Sequence, residues 1–147
     1  RLHAVTKVTK FETVIADERF AAKSGFSVGD ELWSIERVRY LDGKALILDV
    51  NYFLKEFVPG LTPQIAASSI YDYIENTLGM QIITSKRRIT VEHATARDEK
   101  LLDMGTYGCV AVVVNQTFNA AGLPFEYTQS RHQPDYFCFQ DIATRKK

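Results

Sequence analysis

A chain of 147 residues, 46% hydrophobic and 24% charged, is the size of one compact domain with a single substantial core. Eighteen basic residues balance eighteen acidic ones and lie scattered, which excludes the broad electropositive footprint that grips nucleic acid. No apolar run is long enough to cross a bilayer and no signal peptide is evident, so the expected location is cytoplasmic, with no membrane partner.

Residues 4–15, rich in Val, Thr and Phe, read as a strand. Asp17 to Ser24, closed by Gly25, reads as a short helix with an acidic start and a glycine stop. Strands follow over 31–40 and 45–54, joined at Leu41-Asp42-Gly43. A turn-rich connector, Val58 to Pro63, leads to a helix in which Ile70, Tyr73, Ile74 and Leu78 share one face. Ser69 caps its start, Asp72 sits three residues on, and Gly79 ends it. Gln81 to Ala96 is strand-like, Arg97 to Met104 with Gly105 is a short helix, and 108–119 with 124–132 form a hairpin turned at Ala120-Ala121-Gly122. A last strand is expected over Tyr136–Ala143, closing the domain or pairing at a partner's edge. The basic end, Arg145-Lys146-Lys147, reads as a solubilising tail.

The order strand, helix, hairpin occurs twice. Each copy has an acidic helix start (Asp17-Glu18, Asp98-Glu99), a glycine stop (Gly25, Gly105), a hairpin glycine (Gly43, Gly122) and a carboxylate soon after, Asp49 or Glu126. This weak duplication predicts one pseudo-symmetric antiparallel sheet whose halves meet at a cleft.

The segment from Trp33 to Gly43 carries the most information. Strand periodicity puts Arg37 and Arg39 on the face of Trp33 and Ile35, where a cation needs a carboxylate of the protein, an anionic ligand group, or an outlet to solvent. Arg is the side chain best shaped for phosphate. Ser69 at a helix start is an anion site or an ordinary N-cap. Asp49 and Glu126 are an acid/base pair across the cleft, acceptors for sugar hydroxyls, or solvated groups.

Other chemistry is missing. There is no glycine-rich phosphate loop, no dinucleotide-binding fingerprint and no nucleophile elbow. His3, His93 and His132 lack metal-ligand spacing, and Cys109 and Cys138 lie apart in apolar runs as buried reduced thiols, so neither metal nor cofactor is expected.

Three stretches carry a resemblance: W-S-I-E-R-V-R followed by D-G, S-S-I-Y-D-Y-I-E, and F-E-Y-T-Q-S-R-H-Q-P-D-Y-F-C-F. Together they resemble the effector-binding UTRA domain of GntR/HutC-type bacterial transcription regulators over essentially the whole chain. The resemblance implies an α+β, chorismate lyase-like fold, antiparallel sheet with short helices, and a homodimer. It also implies a winged helix-turn-helix upstream through which operator DNA is read, which the Arg1 start would fit. It implies a sensor and not an enzyme. A chorismate lyase-like enzyme, with arginines that bind carboxylates, and a pure dimerisation domain are the rival readings.

Carried over residue by residue, Arg37 and Arg39 match the family's phosphate-binding R-x-R, and Ser69 with Tyr71 its S-x-Y. Asp49 and Glu126 match acidic positions that accept from sugar hydroxyls. His132 stands at a sugar-end position where related sensors carry tyrosine, and Gln133 where arginine is common. The segments 51–59, 69–75 and 128–132 are most similar to trehalose-responsive members, which implies trehalose 6-phosphate as effector. Other sugar phosphates share the phosphate residues.

The hairpin at Asp42-Gly43 offers a geometric check. A two-residue loop would pair Arg37 with Leu48 and turn Asp49 away from both arginines; a three-residue loop, Leu41-Asp42-Gly43, with Gly43 left-handed in a bulge pairs Arg37 with Asp49. The second arrangement is expected.

Overall fold

The computed structural model describes residues 3–146; Arg1, Leu2 and Lys147 lie outside them, and with them the chain start and the last residue of the basic tail. Ten elements carry the fold. These are β1 (Ala4–Ile15), α1 (Glu18–Ser24), β2 (Glu31–Leu41), β3 (Lys44–Leu54), α2 (Pro63–Ala67), α3 (Ile70–Asp72), β4 (Thr84–His93), α4 (Ala96–Leu101), β5 (Cys109–Phe118) and β6 (Pro124–His132). The strands form one antiparallel sheet in the order β1-β2-β3-β6-β5-β4. Two three-stranded meanders therefore join at β3 and β6, the arrangement the internal duplication predicts, and the fold is the expected α+β class.

The two sheet faces are served by different sequence elements. On the back face, Val38, Leu48, Val110 and Val112 pack beneath Leu102 and Met104 from the segment after α4. Ala16 and Phe26, flanking α1, cover Leu32 and Tyr127. On the front face, α2, α3 and the turn after them cover only one end, burying Val58, Leu61, Ala66, Ile70 and Ile74 against Ile35, Phe53 and Phe125. The other end of that face stays uncovered, and a cleft remains.

Local chemistry explains most boundaries. Asp17 accepts from the Phe20 amide and Gly25, at φ 87°, closes α1. Thr95 and Asp98 form a reciprocal capping box on α4. Ser69 accepts from the Asp72 amide, as expected of an N-cap, but α-helical geometry lasts only three residues before Tyr73–Thr77 widens into a π-turn.

The β2–β3 hairpin reaches its expected register by another route. The loop has two residues, Asp42 and Gly43, both left-handed at φ 49° and 82°, as a tight primed turn requires. The ladder then shifts between Arg39↔Ile47 and Tyr40↔Ala45, leaving Leu46 as a bulge. The extra residue restores what the shorter loop removes, so Arg37 pairs with Asp49. The expected three-residue loop is thus corrected, and the pairing it was invoked to explain stands.

Two further expectations are overturned. The strand expected over Tyr136–Ala143 is a 3-10 turn, Pro134–Tyr136, followed by chain with no regular structure. Apolar alternation around Phe137-Cys138-Phe139 makes a strand only where a neighbouring edge supplies ladder hydrogen bonds, and among the described residues none does. Cys138 is consequently exposed and Cys109 half-buried, rather than both being buried; both are free. Residues 81–83 and 94–96 fall outside β4, and α2 was not anticipated.

Candidate functional site

Period-two alternation and the cross-strand register place one polar row after another on the front face. Arg37, Asp49 and Ser130 lie side by side across β2, β3 and β6. The neighbouring rows run Ile35, Asn51, Thr128, Asn115, Arg87 and Arg39, Ile47, His132, Ala111. Above them lies a cavity of about 610 Å³, roofed in part by the Ser68–Tyr71 segment and by Tyr136–Phe139. That volume is typical of small-molecule sites, about 300–1,000 Å³. Arg37, Arg39, Asp49, Ser69, Tyr71, Glu126 and His132 all line it. The structure thus brings together every residue singled out from the sequence.

The two arginines are not equivalent. Arg37 donates through Nε to Asn51 Oδ1 at 3.0 Å, through Nη1 to the Ala66 carbonyl at 3.3 Å and through Nη2 to Asp49 Oδ2 at 3.4 Å. Burial draws its pKa down, opposed by the Asp49 charge and aided by that of Arg39. Of the possible partners for a cation on this face, Arg37 has therefore taken a carboxylate of the protein. Arg39 is exposed and, among the described residues, meets no carboxylate. It is the guanidinium of the predicted pair that is free to receive an anion. Ser69 Oγ accepts a backbone N–H, which leaves its own proton to donate into the cavity.

Glu126 anchors a directed network beneath these groups. Its carboxylate accepts from Tyr71 Oη at 2.6 Å, Thr117 Oγ1 at 2.9 Å and Thr128 Oγ1 at 2.5 Å, and only 2% of the residue is exposed. Thr128 in turn accepts from Asn51 Nδ2, whose Oδ1 is held by Arg37, so the chain of bonds runs from guanidinium to carboxylate. Burial raises the Glu126 pKa above the ordinary carboxylate range, against the pull of the three hydroxyls and Arg37. Burial followed by the neighbouring Glu126 charge pushes the Tyr71 hydroxyl up as well, so it remains a donor. Asp49 keeps a second partner, Ser130 Oγ, at 2.6 Å. His132 packs against Phe137, and its pKa is lowered by burial, partly offset by Asp49. The arrangement offers donors and acceptors for a polyhydroxylated anion.

The neutral residues Asn51, Thr128, Ser130 and Asn115, and the cation Arg87, were missed from the sequence. A signal existed. Counting in twos from Asp49 reaches Asn51, and from Glu126 reaches Thr128, Ser130 and His132, all on one face. Among the described residues no three His, Cys, Asp or Glu side chains cluster to hold a metal ion.

On the back face, α4 is tied to the strands that carry this site. Arg131, buried beside Ser130 and His132 in sequence, donates from Nε and Nη2 to the two Asp98 oxygens at 2.8 Å each. Arg97 donates to Glu36, next to Arg37, at 2.6 Å. Although burial opposes ionisation, these guanidiniums hold both carboxylates below their ordinary pKa.

Comparison with known proteins agrees with the geometry. The UTRA domain family model matches residues 1–138. The chain is 39% identical over 142 residues, 97% of its length, to the Bacillus subtilis HTH-type transcriptional regulator TreR, and 27% identical to the B. subtilis regulator GmuR. It spans about 60% of the length of each of these relatives. The solved effector-binding domain of the B. subtilis trehalose repressor TreR superposes with a TM-score of 0.89 at 38% identity, covering 97% of this chain and 99% of that one. A GntR-family regulator from Bacillus cereus superposes at 0.85 with 28% identity, covering 96% and 99%. No helix among the described residues is long and apolar enough to cross a membrane. The chain belongs to the UTRA domain family, and the relatives it matches are transcription regulators and their effector-binding domains, not enzymes.

Proposed function

We propose that this domain is the ligand-sensing part of a cytoplasmic GntR-type repressor, and that its effector is a phosphosugar, trehalose 6-phosphate in particular. The observation that carries the reading is Arg39, a guanidinium without a carboxylate partner among the described residues, set two residues from Arg37 and lining the same cavity as Ser69. A phosphate bound there takes forked donors from Arg39, with Ser69 and Tyr71 adding hydroxyls. Asp49, Glu126 and His132 then address the sugar. The 39% identity to TreR supports trehalose 6-phosphate over other sugar phosphates.

Control of operator DNA is assigned to an attached winged helix-turn-helix domain, with the sensor acting as a homodimer. The second copy is supported by the free, exposed edge of β4 and by the unpaired segment after Tyr136, which exposes Phe139 and Ile142. By linkage, the effector releases DNA only in so far as it binds the released arrangement more tightly than the DNA-bound one.

A thermal-shift series tests the ligand class. Trehalose 6-phosphate at 100 times its Kd raises stability by about 2.7 kcal/mol, a shift of several degrees, whereas trehalose at the same concentration leaves Tm unchanged. Equal shifts from the two sugars, or none from any phosphosugar, refute the reading.

A further inference from the structure

The far end of the cavity holds polar groups to which neither phosphate recognition nor the sugar contacts above give a task. Arg87 on β4 and Asn115 on β5 stand directly opposite each other in the ladder and line the same cavity as Arg39. Arg87 is exposed and meets no carboxylate among the described residues. Asn115 donates its Nδ2 to Tyr71 Oη at 3.3 Å, while its Oδ1 is buried and accepts from nothing. A buried amide oxygen without a donor is uncommon in a folded protein and asks for an explanation.

Building on the phosphosugar reading, we infer that Asn115 and Arg87 form a second sugar subsite, which takes the distal, unphosphorylated ring of a phosphodisaccharide. Distance supports this. Four inter-strand steps separate β2 from β4, about 19 Å at roughly 4.8 Å each, and Arg87 lies in the row of Ile35, four residues along the strands from the row of Arg39, so the two guanidiniums stand at opposite ends of the cavity lining. A single pyranose ring is little wider than one such step, and a monosaccharide phosphate seated at Arg39 leaves the β5–β4 end unfilled. A second linked ring extends toward it, and the long Arg39 and Arg87 side chains shorten the remaining span. The chemistry fits a neutral, hydroxyl-rich group: a sugar hydroxyl donates to Asn115 Oδ1, and Arg87 donates to ring or hydroxyl oxygens. Tyr71 links the two ends. Its hydroxyl is the partner of both Glu126 and Asn115, so drawing it toward a phosphate at Arg39 frees the Asn115 amide N–H and one acceptor site of the Glu126 carboxylate for the sugar.

Calorimetric titration of this domain with trehalose 6-phosphate and with glucose 6-phosphate tests the subsite. Arg87→Gln, on an exposed edge strand, spares the fold; Asn115→Leu keeps the side chain's bulk while removing both amide functions. Each is expected to weaken trehalose 6-phosphate about tenfold, and Arg87→Gln, which leaves the contacts of Tyr71 in place, keeps glucose 6-phosphate within about twofold of the unaltered domain. Equal weakening of both ligands by Arg87→Gln, or trehalose 6-phosphate binding unchanged in both variants, overturns the subsite while leaving the phosphosugar reading intact. An unaltered domain that binds neither compound overturns both.

Discussion

Arg37 and Arg39 are two residues apart on one strand face, yet the structure predicts different consequences for removing them. Arg37→Ala deletes bonds to Asn51, Ala66 and Asp49, and leaves the Asp49 carboxylate, whose side chain is 5% exposed, with Ser130 as its hydrogen-bonding partner. Breaking a fully buried pair costs about 3–5 kcal/mol. The 3.4 Å separation and the 15% exposure of the Arg37 side chain reduce that here to about 2–3 kcal/mol, or roughly 5–10 °C in Tm. Arg39→Ala removes an exposed side chain with no ion-pair partner, so the Tm is expected to move by less than about 2 °C. Its loss falls on binding. One charge-assisted phosphate contact is worth about 1.5–3 kcal/mol, which is about 10- to 150-fold in Kd. Paired thermal melts and calorimetric titrations with trehalose 6-phosphate separate the two effects. Arg39→Ala destabilising the domain as much as Arg37→Ala, or leaving the Kd unchanged, would refute this division between the two arginines.

Three other outcomes follow from particular contacts. Arg131→Ala leaves Asp98, with a fully buried side chain, lacking its forked partner, and should cost about 3–5 kcal/mol in urea denaturation; a cost below about 1 kcal/mol would show the pair to be unimportant. Glu126 has a native pKa above its unfolded 4.5, so the native state holds the extra proton in that window and stability declines as pH rises through it. Glu126→Gln should abolish that part of the decline, and identical pH profiles of urea midpoint would contradict the assignment. Gly43→Ala should cost about 1 kcal/mol, because φ is 82° while a Cβ meets nothing within 4 Å, so backbone strain is the whole effect; a Tm equal to that of the parent would argue against the left-handed turn.

How much of this was legible from sequence varied with the kind of information each feature needs. Period-two alternation is local, and it placed Arg37, Arg39 and Ile35 on one face correctly. The Arg37–Asp49 pairing was also anticipated, but through the wrong loop. A two-residue turn with a bulge at Leu46 and a three-residue loop give the same register further along, and alternation in the strands cannot tell them apart. The expected strand over Tyr136–Ala143 failed for a different reason: its pattern is strand-like, but a ladder needs an edge, and edges are set by the tertiary arrangement. The seven candidate side chains came together in one cavity because resemblance supplied what spacing could not. Asn51, Thr128 and Asn115 escaped notice because single amides and hydroxyls within apolar strands carry no charge signal, although their phase matched that of the carboxylates. The division of labour between Arg37 and Arg39 depended on which side chain reached Asp49, and that is a matter of three-dimensional distance alone.

The central claim is that a phosphate sits against Arg39 in the front-face cavity. A crystal structure of this domain with trehalose 6-phosphate tests it most directly. The account predicts the phosphate within hydrogen-bonding distance of the Arg39 guanidinium and the Ser69 hydroxyl, with the Tyr71 hydroxyl withdrawn from Glu126. A phosphate bound elsewhere, with Arg39 in solvent and Tyr71 still on Glu126, would contradict it.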